Sequence, residues 1–265
     1  MTETNLNAPV VALTIAYDGA QFSGFARQRH AVTVQSSLEA SLAIVLRREV
    51  AIVGAGRTDA GVHALGQVVS FSWDDDLPEP EAMMRSLNAI TPGVVVRDVR
   101  FARPRFSARF DARFREYRYR LVAGPVPPLF SAPVVWWVKK DLDVDAMRAA
   151  AALLVGEHDF RSFCVTDSAI GKRTVRRIDA IEIAEENVLG EPSLTVKVIG
   201  NAFLHSMVRT IVGSLVEIGI GRREAAWLGD ALAAQERSAA GPTAPAQGLT
   251  LWSVAYDEEV WIAGG

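Results

Sequence analysis

Gly54-Ala-Gly-Arg-Thr-Asp-Ala-Gly-Val-His-Ala-Leu-Gly-Gln-Val68 packs four glycines, one carboxylate, one guanidinium and one imidazole into a short segment. Apolar, strand-like residues stand on both sides: Val50, Ile52 and Val53 before it, then Val68, Val69 and Phe71. Glycines at this density let the backbone take positive φ angles and approach a ligand closely. Asp59, flanked by Arg57 and His63, is then presented at a strand edge. An aspartate in a turn also serves simply to cap backbone N–H groups. The length of this loop, its two charge signs and its lack of Pro or Ser filler favour a functional role.

Outward from the loop, the chain reads as two similar halves. Val10 to Tyr17 alternates, with Val11, Leu13, Ile15 and Tyr17 on one face, and ends at Asp18-Gly19, a strand running into a turn. Val34 to Arg47 spaces Leu38, Leu42, Ile44, Val45 and Leu46 near helical period, with Thr33 as candidate cap. Two strands bracket the Asp59 loop. A helix over Glu79 to Leu87, started by Pro78 or Pro80, and a strand over Val94 to Phe101 complete a βαββαβ order. The second half repeats it: strand Tyr117 to Val122, helix Val144 to Leu154 capped by Asp143, and strands Val175 to Ile183 and Leu194 to Ile199 turning at Asn187 and Gly190. Helices over Phe203 to Ile218 and Arg223 to Ala234 and a strand over Leu249 to Tyr256 finish it. The expected fold class is α/β (α+β), with two tandem ferredoxin-like lobes, residues 1–105 and 106–265, whose sheets join around a central cleft.

The helix expected over Phe203 to Ile218 is apolar over more than half its circumference, yet carries Arg209 one turn after His205. A guanidinium in a buried setting is costly unless paired. It lies on a narrow exposed strip, pairs with Glu217 or another structural acid, or pairs with Asp59 and keeps that carboxylate ionised and aimed.

At 265 residues, 49% hydrophobic and 22% charged, the composition is that of a soluble globular protein with ample core. No secretory signal and no run of roughly 18 uncharged apolar residues is visible. Cys164 is the only cysteine, so no intrachain disulfide forms, which fits a reducing cytoplasm. The four histidines, 30, 63, 158 and 205, make no zinc-site spacing with it. The net charge of −3 hides a local excess. From Arg85 to Arg120 there are ten arginines (85, 97, 100, 103, 105, 109, 113, 115, 118, 120) against Asp98, Asp111 and Glu116. Lys172, Arg173, Arg176 and Arg177 form a second cluster. Arginine suits bidentate phosphate contact, and with few acids nearby in sequence a polyanion partner is the expectation over a solvated, salt-bridged surface.

Gly-Arg-Thr-Asp-Ala-Gly-Val-His with the following Gly-Gln-Val resembles the signature of the tRNA pseudouridine synthase A family. So do Tyr17-Asp18-Gly19 with Phe22 and Gly24, Thr33-Val34-Gln35, and Ala108-Arg109-Phe110 before Tyr117-Arg118-Tyr119. Gly156-Glu157-His158-Asp159-Phe160, Asn201-Ala202-Phe203 through Met207-Val208-Arg209, Ile211-Val212-Gly213, and Gly248-Leu249 before Val254 and Tyr256 extend the match over nearly the whole chain. Phe25-Ala26 departs from the family's frequent Trp-Gln, and Ser107 from its usual His, at positions that would contact RNA or support residues that do.

The resemblance implies the pseudouridine synthase fold and a cytoplasmic homodimer that isomerises uridine in the tRNA anticodon stem-loop, at positions 38 to 40, without metal or organic cofactor. It makes Asp59 the catalytic aspartate, Tyr117 the ring packed on the target base, Arg209 the ion-pair partner of Asp59, and Leu249 a residue lining the pocket floor. Arg57, adjacent in the loop, is placed to fill the gap left by a flipped base or to hold a phosphate. Arg109, Arg113 and Arg115 are candidate RNA contacts. An aromatic in a strand is more often core, but Arg115, Arg118 and Arg120 around Tyr117 make the pattern of a single-strand RNA surface. Core packing serves equally for Leu249. Three other classes compete. A non-catalytic RNA binder leaves the loop carboxylate unexplained, a nucleotide-binding enzyme lacks both the Lys-Ser/Thr and GxGxxG patterns, and a homo-oligomeric scaffold leaves the charged loop unexplained.

Overall fold

The structure is a computed structural model that describes residues 8–76 and 79–262. Contacts divide the chain into two units, Met1–Arg113 with Leu251–Gly265, and Phe114–Thr250.

The first unit runs β1 (Val10–Tyr17), α1 (Val34–Leu46), β2 (Val53–Gly54), β3 (His63–Ser72), α2 (Pro80–Ile90) and β4 (Val94–Ala102). This is the βαββαβ order that the sequence implies. Strand β1 is central, antiparallel to both β3 and β4, and β2 pairs with β3, giving the order β4-β1-β3-β2. Strand β2 is only two residues long, pairing Val53 with Ser70 and Gly54 with Val69. Elsewhere along β3, Gly66 admits the backbone of Trp252 and Ser253, where a Cβ would lie 2.4 Å from the Trp252 carbonyl oxygen. The expected alternation of β1 is real, with Val11, Leu13 and Ile15 fully buried. Its opposite face is covered as well, since Val10 and Ala12 join Ala55, Val68, Ala102, Phe106, Ala108 and Val260 in one cluster. Thr33 caps α1 in a reciprocal box, accepting from the Ser36 N–H while Ser36 Oγ accepts from the Thr33 N–H. Glu79 caps α2, and Pro80 occupies its first turn, where a missing N–H costs nothing.

The second unit begins with β5 (Phe114–Ala123), which pairs in parallel with β6 (Trp136–Val138) and antiparallel with β9 (Glu191–Gly200). Between them come α3 (Val144–Ala152), β7 (Gly156–Asp159), a short α4 (Thr166–Ala169) and β8 (Val175–Val188), in the sheet order β5-β9-β8-β7. The β8–β9 hairpin is longer than its apolar stretches suggest, and the Asn187 side chain accepts from the Gly190 N–H at the turn. Helix α5 (Met207–Gly219) buries nearly all its residues, with Ile211, Val212 and Leu215 fully enclosed. Then come α6 (Trp227–Ala234) and β10 (Leu249–Ala255), whose first two residues belong to this unit and the rest to the first.

Two helices start later than their periodicity suggests, α5 at Met207 and not Phe203, and α6 at Trp227 and not Arg223. For α5 the cause is tertiary. Asn201 is tied to β8, its side-chain oxygen accepting from the Arg177 N–H and its own N–H donating to the Arg177 carbonyl. The Phe203 ring stands edge-on to Tyr117, centroids 5.0 Å apart. Ser206 then turns through a left-handed φ of 60° before the helix begins. No helix among the described residues is long and apolar enough to cross a membrane.

Candidate active site

Asp59 sits half-buried in the loop between β2 and β3, and the backbone on either side of it is tied down. On its N-terminal side, Thr58 is buried and its hydroxyl lies 2.8 Å from the Tyr17 hydroxyl at the end of β1. The Thr58 carbonyl accepts from the Phe25 N–H at 3.0 Å. Gly24, at φ 97°, brings its backbone so close that a Cβ there would lie 3.1 Å from the Thr58 carbonyl oxygen. That is a left-handed position where only glycine is comfortable. Gln67 reaches back from β3, its amide donating to the Gly56 carbonyl at 2.8 Å. The pairing of β1 with β3 shifts register between Ile15 and Tyr17. Such irregularities re-aim side chains near functional sites, and here the affected stretch carries Tyr17 and Gln67. Burial pushes the Tyr17 phenol up to about 12, so it is neutral in any physiological buffer and acts as a hydrogen-bonding strut.

On the C-terminal side, the Val62 N–H closes a turn onto the Asp59 carbonyl at 3.2 Å, and Gly61 takes φ 80°. His63 is buried at the first position of β3, with Nδ1 3.2 Å from both the Gly19 N–H nitrogen and Asp18 Oδ1. Burial alone would raise the Asp18 carboxyl. The Ala20 N–H and the Gln21 amide outweigh it and hold the group below its ordinary value. Arg57, the cation of the loop, is exposed.

The other candidates lie in the second unit. Tyr117 is on β5 opposite Val198 and is 7% exposed, packed edge-on against Phe203. Arg209 is half-buried on α5. Its Nε donates to the Ala244 carbonyl at 2.8 Å, and its own carbonyl accepts from the Ala244 N–H at 3.1 Å. Glu217, one structural partner considered for it, is engaged by Arg222 at 3.0 Å. The segment Gly241 to Gly248 is strapped down around Arg209. Tyr119, fully buried, donates to the Pro245 carbonyl at 2.7 Å, and a Cβ on Gly248 would lie 2.6 Å from the Tyr119 ring. Leu249, buried, follows at the start of β10. Neither the Pro245 nor the Ala244 carbonyl stands out in the sequence, because a backbone acceptor has no sequence signature.

The arginine-rich stretch is more internally paired than its sequence neighbourhood suggests. Arg85 reaches Glu81, Arg100 Asp98, Arg103 Asp111, Arg113 Asp257 and Arg118 Glu116. These acids lie just outside the counted window or beside their arginines, and one comes from the far end of the chain. Arg109 is exposed and lies over the Phe110 ring, 5.2 Å from its centroid. Arg113 is exposed, whereas Arg115 is buried and donates to the Asn201 carbonyl at 2.5 Å. Arg115 therefore braces the turn that precedes α5.

Over residues 13–114 and 150–257 the chain matches the tRNA pseudouridine synthase family, and it belongs to that family of isomerases acting on tRNA. Among curated relatives, the tRNA pseudouridine synthase A of Brevibacillus brevis is 44% identical over 242 residues, covering 91% of this chain and 97% of the relative. That of Leptospira biflexa is 41% identical over 253 residues, covering 94% and 95%. That of Xanthomonas euvesicatoria pv. vesicatoria is 42% identical over 252 residues, again covering 94% and 95%.

Proposed function

We propose that this chain converts uridine to pseudouridine in the anticodon stem-loop of tRNA, at positions 38 to 40, with Asp59 as the catalytic carboxylate. One observation supports it above the others. Asp59 lies within the first family-matched segment, half-buried, on a loop fixed on both sides by buried hydrogen bonds, the arrangement a group needs to be held in one reactive position. The reaction breaks the N1–C1′ bond, turns the uracil, joins C5 to C1′, and moves the C5 proton to solvent while N1 regains one. A carboxylate suits these steps as a nucleophile toward sugar or base or as a stabiliser of the intermediate.

In this proposal residues 1–105 supply Asp59 and residues 106–265 the groups that complete the site. Arg209 is the ion-pair partner of Asp59, Tyr117 the ring packed on the target base, and Leu249 an apolar wall. A paired uridine is flipped from its stem, at a cost of a few kcal/mol, and the exposed Arg57 occupies the gap. Arg109 and Arg113 contact phosphates, and Arg115 contributes from inside the fold. The enzyme acts as a cytoplasmic homodimer, without metal or organic cofactor.

Asp59→Asn tests the central assignment, because the amide is nearly isosteric but has neither charge nor nucleophilicity. Tritium release from C5-labelled uridine in unmodified tRNA should vanish while tRNA binding persists. Substantial pseudouridine formation by the purified variant would remove Asp59 from the chemistry.

A further inference from the structure

We infer that His63 is a positioning residue for the Asp59 loop, its Nδ1 serving as the acceptor that docks the Gly19 turn onto the end of that loop. The inference rests on Asp59 being the catalytic carboxylate, and it gives the C-terminal anchor of that carboxylate a named atom.

Three observations carry it. First, the turn and the loop touch backbone to backbone. A Cβ on Gly19 would lie 2.1 Å from the Val62 carbonyl oxygen and 2.8 Å from the Gly61 carbonyl carbon. No side chain fits between them, so any polar link must come from the backbone of Gly19 itself. Second, that link exists: the Gly19 N–H donates to His63 Nδ1 at 3.2 Å, between groups 44 residues apart in sequence. A buried N–H left without an acceptor is costly, so the imidazole holds the turn in place. Third, the mechanism leaves this imidazole unused. His63 is 8% exposed, and its Nε2 is buried without a hydrogen-bond partner among the described residues.

The chemistry of one nitrogen sharpens the role. Nδ1 has a single lone pair in the plane of the ring. Accepting from Gly19 requires the proton to sit on Nε2. Asp18 Oδ1, also 3.2 Å from Nδ1, is instead satisfied by the Ala20 N–H at 3.0 Å, while Oδ2 accepts from the Gln21 amide at 3.2 Å. The Asp18–Gln21 turn is thus internally complete and needs His63 only for its join to the loop. On the other flank, Tyr17 and Thr58 make the equivalent join. Asp59 sits between the two, so releasing either one lets the carboxylate swing about the other. Misplacement of a reacting group by about 1 Å can cost on the order of a hundredfold in rate.

Two substitutions test it. Asparagine places its side-chain oxygen where Nδ1 was and lacks Nε2, whereas leucine keeps apolar bulk and removes the acceptor. His63→Leu should lower kcat by roughly ten- to a hundredfold at saturating tRNA with KM little changed, and should speed hydrogen exchange of the Gly19 amide. His63→Asn should keep kcat within a few-fold and leave that amide protected. Full kcat in the leucine variant, or equal impairment of both folded variants, would overturn the inference. The exchange measurement needs no turnover, so it reports on the anchor even if Asp59→Asn proves active and the catalytic assignment fails.

Discussion

Gly213→Ala should destabilise the protein, although helix propensity alone points the other way. In the interior of α5, alanine is better than glycine by about 1 kcal/mol. But a Cβ on Gly213 would lie 1.8 Å from the Pro242 carbonyl oxygen, against the 3.0 Å that real Cβ contacts respect. The strap over α5 must therefore withdraw by about an ångström. Three of its hydrogen bonds to α5 stand to be lost: Gly241 N–H to Ser214 Oγ at 2.9 Å, Ala244 N–H to the Arg209 carbonyl at 3.1 Å, and Arg209 Nε to the Ala244 carbonyl at 2.8 Å. At about 1 kcal/mol for each neutral bond and about 2 for the charged one, losing them costs about 4 kcal/mol. The net is about 3 kcal/mol, a fall in melting temperature of roughly 6–12 °C for a chain of this size. Turnover should fall too, because Arg209 loses its Ala244 anchor. Gly229→Ala in α6 is the matched control: its Cβ would meet only Leu153 Cδ1 at 3.7 Å, an ordinary contact, so there propensity should win and the melt should rise. A Gly213→Ala protein that melts at or above the parent would refute the steric account of the strap.

Two further outcomes follow from the charged groups. Glu191 accepts from the Ser131 hydroxyl and from the N–H groups of Leu129, Ser131 and Phe130, which draw its carboxyl from 4.5 down to about 2. With the folded value below the unfolded one, its contribution is complete above pH 4.5 and fades as pH falls towards 2. Melts across that window should therefore slope less steeply for Glu191→Gln, and identical slopes would show that the 129–131 loop gains nothing from the charge. Replacing both Arg109 and Arg113 by alanine should flatten the log–log salt dependence of tRNA binding by about 1.4–1.8, as two lost phosphate contacts require. Arg115→Ala, removing a buried brace, should lower the melt and leave that slope alone, and an unchanged slope in the double variant would turn both exposed arginines away from RNA.

What could be read in advance depended on whether the responsible partner was close in sequence. Thr33 and Ser36 make their capping box within four residues, so the start of α1 was legible, as were Asp143 over α3 and the Asn187 turn. The start of α5 was not. Phe203 and Leu204 keep helical spacing because they too are partly buried, but what faces Phe203 is Tyr117 on another strand, and periodicity does not distinguish a core-facing loop from a core-facing helix. The acids that pair with the arginine belt escaped notice in the same way: Glu81 lies just before the counted window and Asp257 belongs to the last turns of the chain.

The Asp59 loop shows the same division inside a single site. Its glycines, its carboxylate and its flanking charges are all local, and together they mark it from sequence alone. Its rigidity is not local. Tyr17 meets Thr58 across 41 residues, Gly19 meets His63 across 44, and Gly24 meets the backbone of Thr58. Resemblance had already placed Tyr17-Asp18-Gly19 and Gly24 beside the loop in one pattern without saying why they belong together. The contacts supply the reason. A carboxylate on a flexible glycine loop would spend most of its time misaligned, so residues that fix the loop are as necessary to turnover as the charge it carries. Loss of either flank should therefore lower kcat even in a protein whose strands beneath remain paired.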